Sequence, residues 1–444
     1  MSRKLTSYNP GNGEAVGEVE ITPVGDIAAI VQRAKIAQKI WRDVPVDVKI
    51  NLIAEASALV ESQADQLAVL LSKEMGKDIR RSTGEVYGSA KCAPAIAQQS
   101  QQALNSKKLH GSTIEYVSMG VVAVISPWNY PLMMAVNLIM PALTAGNTVV
   151  FKPSEETPLI AQAYVDLFNQ VLPKDVIQII HGDKEQGRAL VEAGVNVVAF
   201  TGSQKAGKDI MRRASHTLIR LVMEMGGNDP MVVTADADIS AAARFAVASS
   251  FENAGQMCIS TERIYVDEKV ADEFEQLVTS IASQYKIGPW DQPQVNIGPI
   301  INEHQRKNVI AHIDDAIAKG ARVLLGGKDH PDYYIKPTVI ADVTADMKME
   351  QEETFGPVVS ISRYSTIEDA IERANDSEYG LGAVVFAGAD AKDIANRLEA
   401  GMVGINGGVG GRGDAPWVGA KQSGFGFHGS AEGHRQFAQV KVIS

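Results

Sequence analysis

Hydrophobic positions in the first hundred residues repeat with helical spacing. Residues 27–41 and 51–75 place apolar side chains three and four apart, which predicts two helices, the second capped near Asp47. From about residue 113 the pattern changes to short β-branched runs separated by helical segments of about 10–16 residues. Strands that alternate with helices in this way predict a parallel sheet with right-handed crossover connections.

A second series of alternating strands and helices begins near residue 230. The tail, residues 434–444, alternates apolar and polar positions as an edge strand does. We therefore predict an α/β protein with two Rossmann-like α/β domains and a small additional β-element.

Composition narrows the classes of partner. The chain has 444 residues, of which 45% are hydrophobic and 21% charged, as in ordinary folded proteins. Its 53 acidic residues exceed its 42 basic ones, for a formal net charge of −11. This acidic excess argues against nucleic acid and against an anionic membrane surface as partners.

Signals for export, membrane insertion and metal binding were not found in the sequence. The N-terminal segment lacks the apolar core of a secretory signal, and no apolar run is long enough to span a bilayer, so we expect a cytoplasmic protein. The two cysteines, Cys92 and Cys258, make a disulfide unlikely. The scattered histidines and the lack of HExxH and CxxC patterns predict no metal site.

Three glycine-rich strings mimic nucleotide-binding motifs. Residues 408–413 and 424–429 fit GxGxxG, but neither lies between a predicted strand and a predicted helix, so we interpret both as loops. Residues 202–208 fit a phosphate loop until Asp209, which stands where a serine or threonine would hold magnesium. We therefore do not predict nucleotide triphosphate hydrolysis, although the helix start near Ser203 could receive one phosphate group.

Cys258 stands in a context that favours reactivity. An isolated cysteine is usually an inert buried residue, and this interpretation suits Cys92. Cys258 follows the loop sequence Asn253-Ala-Gly-Gln-Met, which can bring backbone N–H groups close to the sulfur. A nucleophilic thiol requires such donors.

Seven short motifs occur in a specific order along the chain. They are 126–131 (SPWNYP), 151–155 (FKPSE), 200–207 (FTGSQKAG), 223–227 (MEMGG), 253–258 (NAGQMC), 353–357 (ETFGP) and 416–424 (PWVGAKQSG). In order and spacing they resemble those of the NAD(P)-dependent aldehyde dehydrogenase superfamily, in its hydrolytic form that does not acylate coenzyme A. Each motif alone is weak, but together they cover essentially the whole chain.

The resemblance implies a domain organisation. It assigns residues 1–104 and 119–225 to an NAD-binding domain and 226–415 to a catalytic domain that carries the nucleophilic Cys258. Residues 105–118 and 430–444 would form an oligomerisation element, so we expect a homodimer or a homotetramer. The expected substrate is a small-molecule aldehyde.

The resemblance also implies catalytic roles. The Cys258 thiolate would attack the aldehyde carbon, and the Asn129 amide with the Cys258 backbone N–H would stabilise the oxyanion. Glu224 would be the general base that activates water against the resulting thioester. Lys152 belongs to the expected catalytic set and would also hold a ribose hydroxyl.

The expected cofactor is NAD, because a carboxylate at Glu155 would accept from ribose hydroxyls and repel the 2′-phosphate of NADP. The family places its dinucleotide without the usual glycine fingerprint. The expected cofactor-binding residues are Ile125, Ser126, Trp128, Lys152, Ser154, Glu155, Gly182, Thr201, Gly202, Ser203, Gly207, Glu224, Met225, Gly226, Glu353 and Phe355.

The substrate itself is less determined by the motifs. Positions that correspond to the family's substrate funnel are Tyr130, Met134, Asn137, Glu252, Met257, Ile259, Gly411 and Arg412. Polar residues at Asn137 and Glu252 favour hydroxylated, sugar-type or carboxylated aldehydes, since burying an unpaired polar group costs about 1–3 kcal/mol. Arg412 could hold a carboxylate or hydroxyls, or Glu252 could neutralise it.

Departures and alternatives accompany this interpretation. Val418 stands where the family commonly has glycine, and His428 lies in place of a frequent acidic residue. A coenzyme A-acylating relative is an alternative, although such relatives generally lack the base at Glu224. Succinate-semialdehyde oxidation is an alternative specific activity, and a non-enzymatic, crystallin-like protein is the third alternative.

Overall fold

A first α/β unit occupies the N-terminal half of the chain in the computed structural model, which describes residues 3–410 and 414–444. Its helices are α1 Ile27–Trp41, α2 Val46–Ser62, α3 Ala64–Met75, α4 Ile79–Ala103, α5 Pro131–Thr144, α6 Pro158–Phe168, α7 Lys184–Glu192 and α8 Gln204–Ala214. Its strands are β1 Lys4–Tyr8, β2 Ala15–Glu20, β3 Lys107–Leu109, β4 Ser112–Ser118, β5 Val121–Ile125, β6 Thr148–Lys152, β7 Ile177–Ile179, β8 Val197–Gly202 and β9 Arg220–Met225.

The central sheet of this unit is parallel, in the order β9-β8-β5-β6-β7. Every residue of β5 and β6 is buried, because helices cover both faces of the sheet. Helices α2 to α6 pack on one face, and α1, α7 and α8 pack on the other. The continuous apolar runs of the sequence therefore mark strands that are buried on both sides.

The helix expected over residues 51–75 is two helices, so that prediction was wrong in one respect. The chain leaves helical geometry at Gln63 (φ −111°, ψ 13°), between α2 and α3. Both helices bury an apolar stripe, including Ile53 and Val60 before the break and Leu67 and Leu71 after it. Because the stripe continues across Gln63, its spacing does not reveal the break.

A second α/β unit follows. Its elements are β10 Asp229–Val233, α9 Ile239–Phe251, β11 Thr261–Asp267, α10 Ala271–Ala282, α11 Glu303–Ala318, β12 Arg322–Leu325, β13 Thr338–Ala341, α12 Lys348–Gln351, β14 Val358–Tyr364, α13 Ile367–Asn375, β15 Gly382–Phe386, α14 Ala391–Arg397 and β16 Met402–Ile405. The sheet order is β12-β13-β14-β11-β10-β15-β16, and only β12 runs antiparallel to its neighbour. The prediction of two parallel-sheet α/β units is confirmed.

The C-terminal segment returns to the first unit. It contains β17 Trp417–Val418, β18 Gly424–Phe425, β19 Phe427–His428, α15 Ser430–Arg435 and β20 Ala438–Ile443. Strand β18 pairs with β9, so that Gly424 lies opposite Glu224. Ser423 donates its hydroxyl hydrogen to the Gly226 carbonyl at 2.7 Å and accepts from the Gly380 N–H at 3.0 Å. The segment thus joins the edge of the first sheet to the second unit.

A small separate sheet, in the order β20-β4-β3, is also present, as predicted. Its outer strand β20 exposes Val440, Val442 and Ile443. Its role in oligomerisation and the functional division at residues 225 and 226, which falls between β9 and β10, stay predictions. No helix in the described part of the chain combines the length and the apolar character needed to cross a membrane.

Candidate active site

The candidate site lies at the carboxyl ends of the parallel strands of the first unit, the usual position for ligands in open α/β sheets. A cavity of about 720 Å³ opens between these strand ends and the loop after α9. Asn129 follows β5, Glu224 lies on β9, and Cys258 follows α9; all three line this cavity. The structure therefore brings together the thiol, the carboxylate and the amide that the sequence analysis selected.

The loop that presents Cys258 has an unusual backbone. Asn253, Ala254 and Gly255 have successive φ values of 50°, 59° and 74°, in the left-handed region that favours glycine. A side chain at Gly255 would collide with the Gly356 carbonyl, so this motif packs directly against the Phe-Gly-Pro motif of residues 355–357. This close approach explains why glycine is needed at position 255.

Asn129 is fixed by its surroundings. Its side-chain amide donates to the Gln256 carbonyl at 3.0 Å, and its Oδ1 accepts from the Tyr130 N–H at 3.0 Å. Its own carbonyl accepts from the buried ammonium of Lys77 at 2.7 Å. Because a side-chain amide has two N–H donors, one remains to stabilise an oxyanion.

Electrostatics couple Glu224 to Cys258. Burial raises the pKa of Glu224 to about 7, against an opposing contribution from Cys258, Thr201 and Trp417 nearby. Burial, followed by the negative charge of Glu224, raises the pKa of the Cys258 thiol well above its ordinary value. The thiol is therefore protonated at neutral pH, and the adjacent carboxylate is a group that can accept its proton.

Glu353 closes another side of the cavity. It accepts a hydrogen bond from the Gly227 N–H at 3.1 Å, and a side chain at Gly226 would collide with its carboxylate. Phe355 contacts Trp128 edge to face, with ring centroids 5.5 Å apart. These motif residues from separate parts of the chain thus form one wall.

A second cavity, of about 580 Å³, continues from the first across Pro127, Trp128, Thr201, Gly202 and Ser203. Together the two cavities form an elongated groove along the strand ends. The hydroxyl oxygen of Ser126 is buried in this groove without a hydrogen-bond partner among the described residues. A groove of this shape with an unpartnered polar atom suits an extended polar ligand such as a dinucleotide.

Fourteen of the sixteen expected cofactor residues line one of the two cavities. Gly182 and Gly207 line neither cavity. A side chain at Gly182 would collide with Gln186, and a side chain at Gly207 would collide with Met225. Gly207 therefore allows α8 to pack closely on β9, which is a structural reason for glycine that the motif alone does not reveal.

The expected substrate residues divide into three groups. Tyr130, Met134, Glu252, Met257 and Ile259 line the first cavity. Asn137 lies on α5 but is not among the residues that line that cavity. Gly411 and Arg412 lie outside the described residues. Glu252 is paired with Arg81, which donates to it at 2.8 and 2.9 Å and which the sequence analysis did not select.

Several residues that line the first cavity were missed. They are Met133, His304, Gln305, Asn308, Glu352 and Tyr379, together with Trp417, which was quoted only as part of a motif. His304, Gln305 and Asn308 recur at helical spacing near the start of α11, which indicates one exposed helix face. Nothing in the sequence places that face at the cavity, because the contact depends on how the second unit packs on the first.

Comparison with known proteins establishes the class. The Aldehyde dehydrogenase family matches residues 1–443, and this chain belongs to that family. A protein of Sinorhizobium fredii named "Probable succinate-semialdehyde dehydrogenase [NADP(+)]" is 35% identical over 460 residues, covering 99% of this chain and 92% of that protein.

Two solved structures have nearly the same fold. An "E. coli NADP dependent enzyme" is 33% identical, with a TM-score of 0.97 over 99% of this chain and 94% of that one. An NADP-dependent glyceraldehyde-3-phosphate dehydrogenase from Bacillus halodurans, complexed with NADP, is 32% identical, with a TM-score of 0.96 over 99% and 95%. The predicted family is therefore confirmed.

The expected preference for NAD was wrong, because these relatives are named for, or bound to, NADP. The prediction rested on one carboxylate, Glu155, whose side chain is 46% exposed and pairs with Lys152 at 3.3 Å. In the described residues the surrounding cavity carries more cations than anions. The cationic residues are Lys152, Lys184, Arg188, Lys205, Arg212 and Arg213, and the anionic ones are Glu155, Asp183 and Asp209. This excess of positive charge offsets the repulsion that the prediction assumed.

Proposed function

We propose that this protein oxidises a polar aldehyde to a free carboxylic acid with NADP⁺ as cofactor. The observation that carries the proposal is the convergence of Cys258, Glu224 and Asn129 on one cavity that continues into a dinucleotide-sized groove. The relatives' names support both the reaction class and the cofactor.

The groove has the chemistry to hold NADP⁺. Lys152 and Ser203 offer donors for ribose and phosphate, and Lys205 and Arg188 offer positive charge for a 2′-phosphate. Glu353 and Phe355 would hold the nicotinamide half beside Cys258. Bound NADP⁺ supplies the hydride acceptor that aldehyde oxidation requires.

The protein residues then carry out the acyl chemistry. Glu224 accepts the thiol proton, and the Cys258 sulfur bonds to the aldehyde carbon. The free N–H of the Asn129 amide stabilises the oxygen that becomes negative. After oxidation the carbon is held as a thioester, and Glu224 accepts a proton from the water that cleaves it. This step releases the acid and regenerates the thiol.

Steady-state assays test the proposal. Purified protein with an aldehyde should form NADPH, detected by absorbance, and the acid in equal amounts without coenzyme A. Cys258→Ala should abolish both products, whereas Cys92→Ala, the matched cysteine outside the cavity, should retain them. A strict requirement for coenzyme A, or full turnover by Cys258→Ala, would refute the proposal.

A further inference from the structure

The carboxylate of Glu252 lies at the wall of the substrate cavity in a fixed orientation. Arg81 donates from Nε and Nη2 to its two oxygens at 2.8 and 2.9 Å, and the Tyr130 hydroxyl donates to Oε1 at 3.0 Å. The Glu252 side chain is nevertheless 33% exposed. Its Oε2 accepts one of these bonds and retains a lone pair, so Glu252 can accept a further hydrogen bond from the cavity.

Arg81 is not available to a ligand. Besides Glu252, its guanidinium donates to the Asp78 carboxylate and, at 3.0 Å, to the Asn296 carbonyl. These bonds use four of its five N–H donors, and its side chain is only 12% exposed. The two carboxylates and the single guanidinium leave this group of three residues with one net negative charge.

The remaining charges of the cavity have the same sign. Its described lining contains the carboxylates of Glu224, Glu252, Glu352 and Glu353 and includes neither lysine nor arginine. The nearby ammonium of Lys77 is fully buried and paired with Glu85 at 2.6 Å. A substrate carboxylate that enters this cavity would therefore meet like charge without a free cation to receive it.

We propose that Glu252 selects aldehydes that carry a distal hydrogen-bond donor, a hydroxyl or an ammonium group, and disfavours aldehydes that carry a distal carboxylate. This inference rests on the proposed function and narrows its substrate class. It distinguishes this chain from relatives named for succinate semialdehyde, although the overall folds match.

A panel of four-carbon aldehydes tests the inference. The kcat/KM values of 4-hydroxybutanal, 4-aminobutanal, succinate semialdehyde and butanal are measured with NADP⁺. We expect the hydroxyl or the ammonium substrate to exceed succinate semialdehyde at least tenfold, and the comparison between the two decides which donor Glu252 receives. A preference for succinate semialdehyde over both would overturn the inference.

Substitution of the carboxylate provides the second arm. Glu252→Gln retains the size and the acceptor oxygen but removes the charge, so the ratio of donor-bearing substrate to succinate semialdehyde should fall about tenfold. Turnover of butanal should change less than twofold. The control is Glu268→Gln, which removes the same charge from an exposed residue outside the cavity. An unchanged ratio in a folded Glu252→Gln protein would overturn the inference.

Product inhibition of the wild-type protein keeps the test decisive if the variant does not fold. 4-Hydroxybutyrate should inhibit at least tenfold more strongly than succinate, and the reverse order would overturn the inference. Failure of the proposed function would give a different result, since butanal and every other aldehyde would then yield no NADPH.

Discussion

Replacing Lys77 by methionine would test how the oxyanion donor is held. The Lys77 ammonium is completely buried between α3 and α4. It donates to Glu85 at 2.6 Å and to the Asn129 carbonyl at 2.7 Å, and it lies 3.9 Å from the centre of the Tyr130 ring. Methionine has a similar length but lacks the charge and the donors, so the variant removes these contacts with little change in volume.

The expected cost follows from what remains after the change. Glu85 would keep hydrogen bonds from the N–H groups of Leu132 at 3.0 Å and Met133 at 3.2 Å but would lose its counter-ion. Removing one partner of a buried ion pair costs about 3–5 kcal/mol. Because the two backbone donors continue to stabilise the Glu85 carboxylate, we expect a loss of about 3 kcal/mol in folding stability.

Catalysis should respond separately from stability. Without the Lys77 donor the Asn129 carbonyl is less constrained, and a displaced oxyanion donor lowers kcat more than it changes KM. We expect kcat for a neutral aldehyde to fall about tenfold to a hundredfold. The assay pairs steady-state kinetics with chemical unfolding, and Lys73→Met, an exposed lysine on the same helix α3, is the control.

A double variant separates the two roles of Lys77. In Lys77→Met with Glu85→Gln, the uncompensated charge is gone, so part of the stability should return. The kcat should not return, because the Asn129 carbonyl still lacks its ammonium donor. If Lys77→Met keeps wild-type kcat, or if Glu85→Gln restores kcat together with stability, the positioning role is refuted.

Three further substitutions probe the site. Glu224→Gln should lower kcat about a hundredfold and leave a thioester on Cys258 detectable by mass spectrometry, while wild-type kcat rises with pH through about 7. Because the native pKa of Glu224 exceeds its ordinary 4.5, its stability contribution is lost as pH rises from 4.5 to about 7, so Glu224→Gln should raise the melting midpoint more at pH 8 than at pH 5. Asn129→Ala should lower kcat about 10²–10³-fold with little change in melting temperature, and an unchanged kcat would exclude it as the oxyanion donor. Gly255→Ala should lower folding stability in urea by about 2 kcal/mol, because φ is 74° and the new methyl group meets Gly356.

The sequence predicted the parts of the fold that depend on local pattern. Runs such as those of β5 and β6 are apolar because both faces are covered, and their length between helices indicates parallel strands. The break at Gln63 was not predictable, because the apolar stripe continues on both sides of it. The motif residues were predictable only as a set, since each has an ordinary structural explanation when taken singly.

Long-range contacts account for what the sequence analysis missed in the site. Arg81 lies 171 positions before Glu252, so no local spacing indicates their pairing. The cofactor prediction used Glu155 alone, whereas the charge that surrounds it comes from α7, α8 and the loop before α7. Gly207 satisfies a motif, yet its close contact is with Met225 of the neighbouring strand rather than with either cavity.

The pairing of Gly424 with Glu224 also bears on when a newly made molecule becomes active. The ribosome synthesises the strand with the general base about two hundred positions before the strand that completes its edge. Until residues 423 and 424 emerge, Gly226 lacks its hydrogen bond from Ser423 and the edge of β9 stays open. Premature termination upstream of this segment should therefore yield a nearly full-length polypeptide without turnover, and maturation of the catalytic centre is a late, post-translational event.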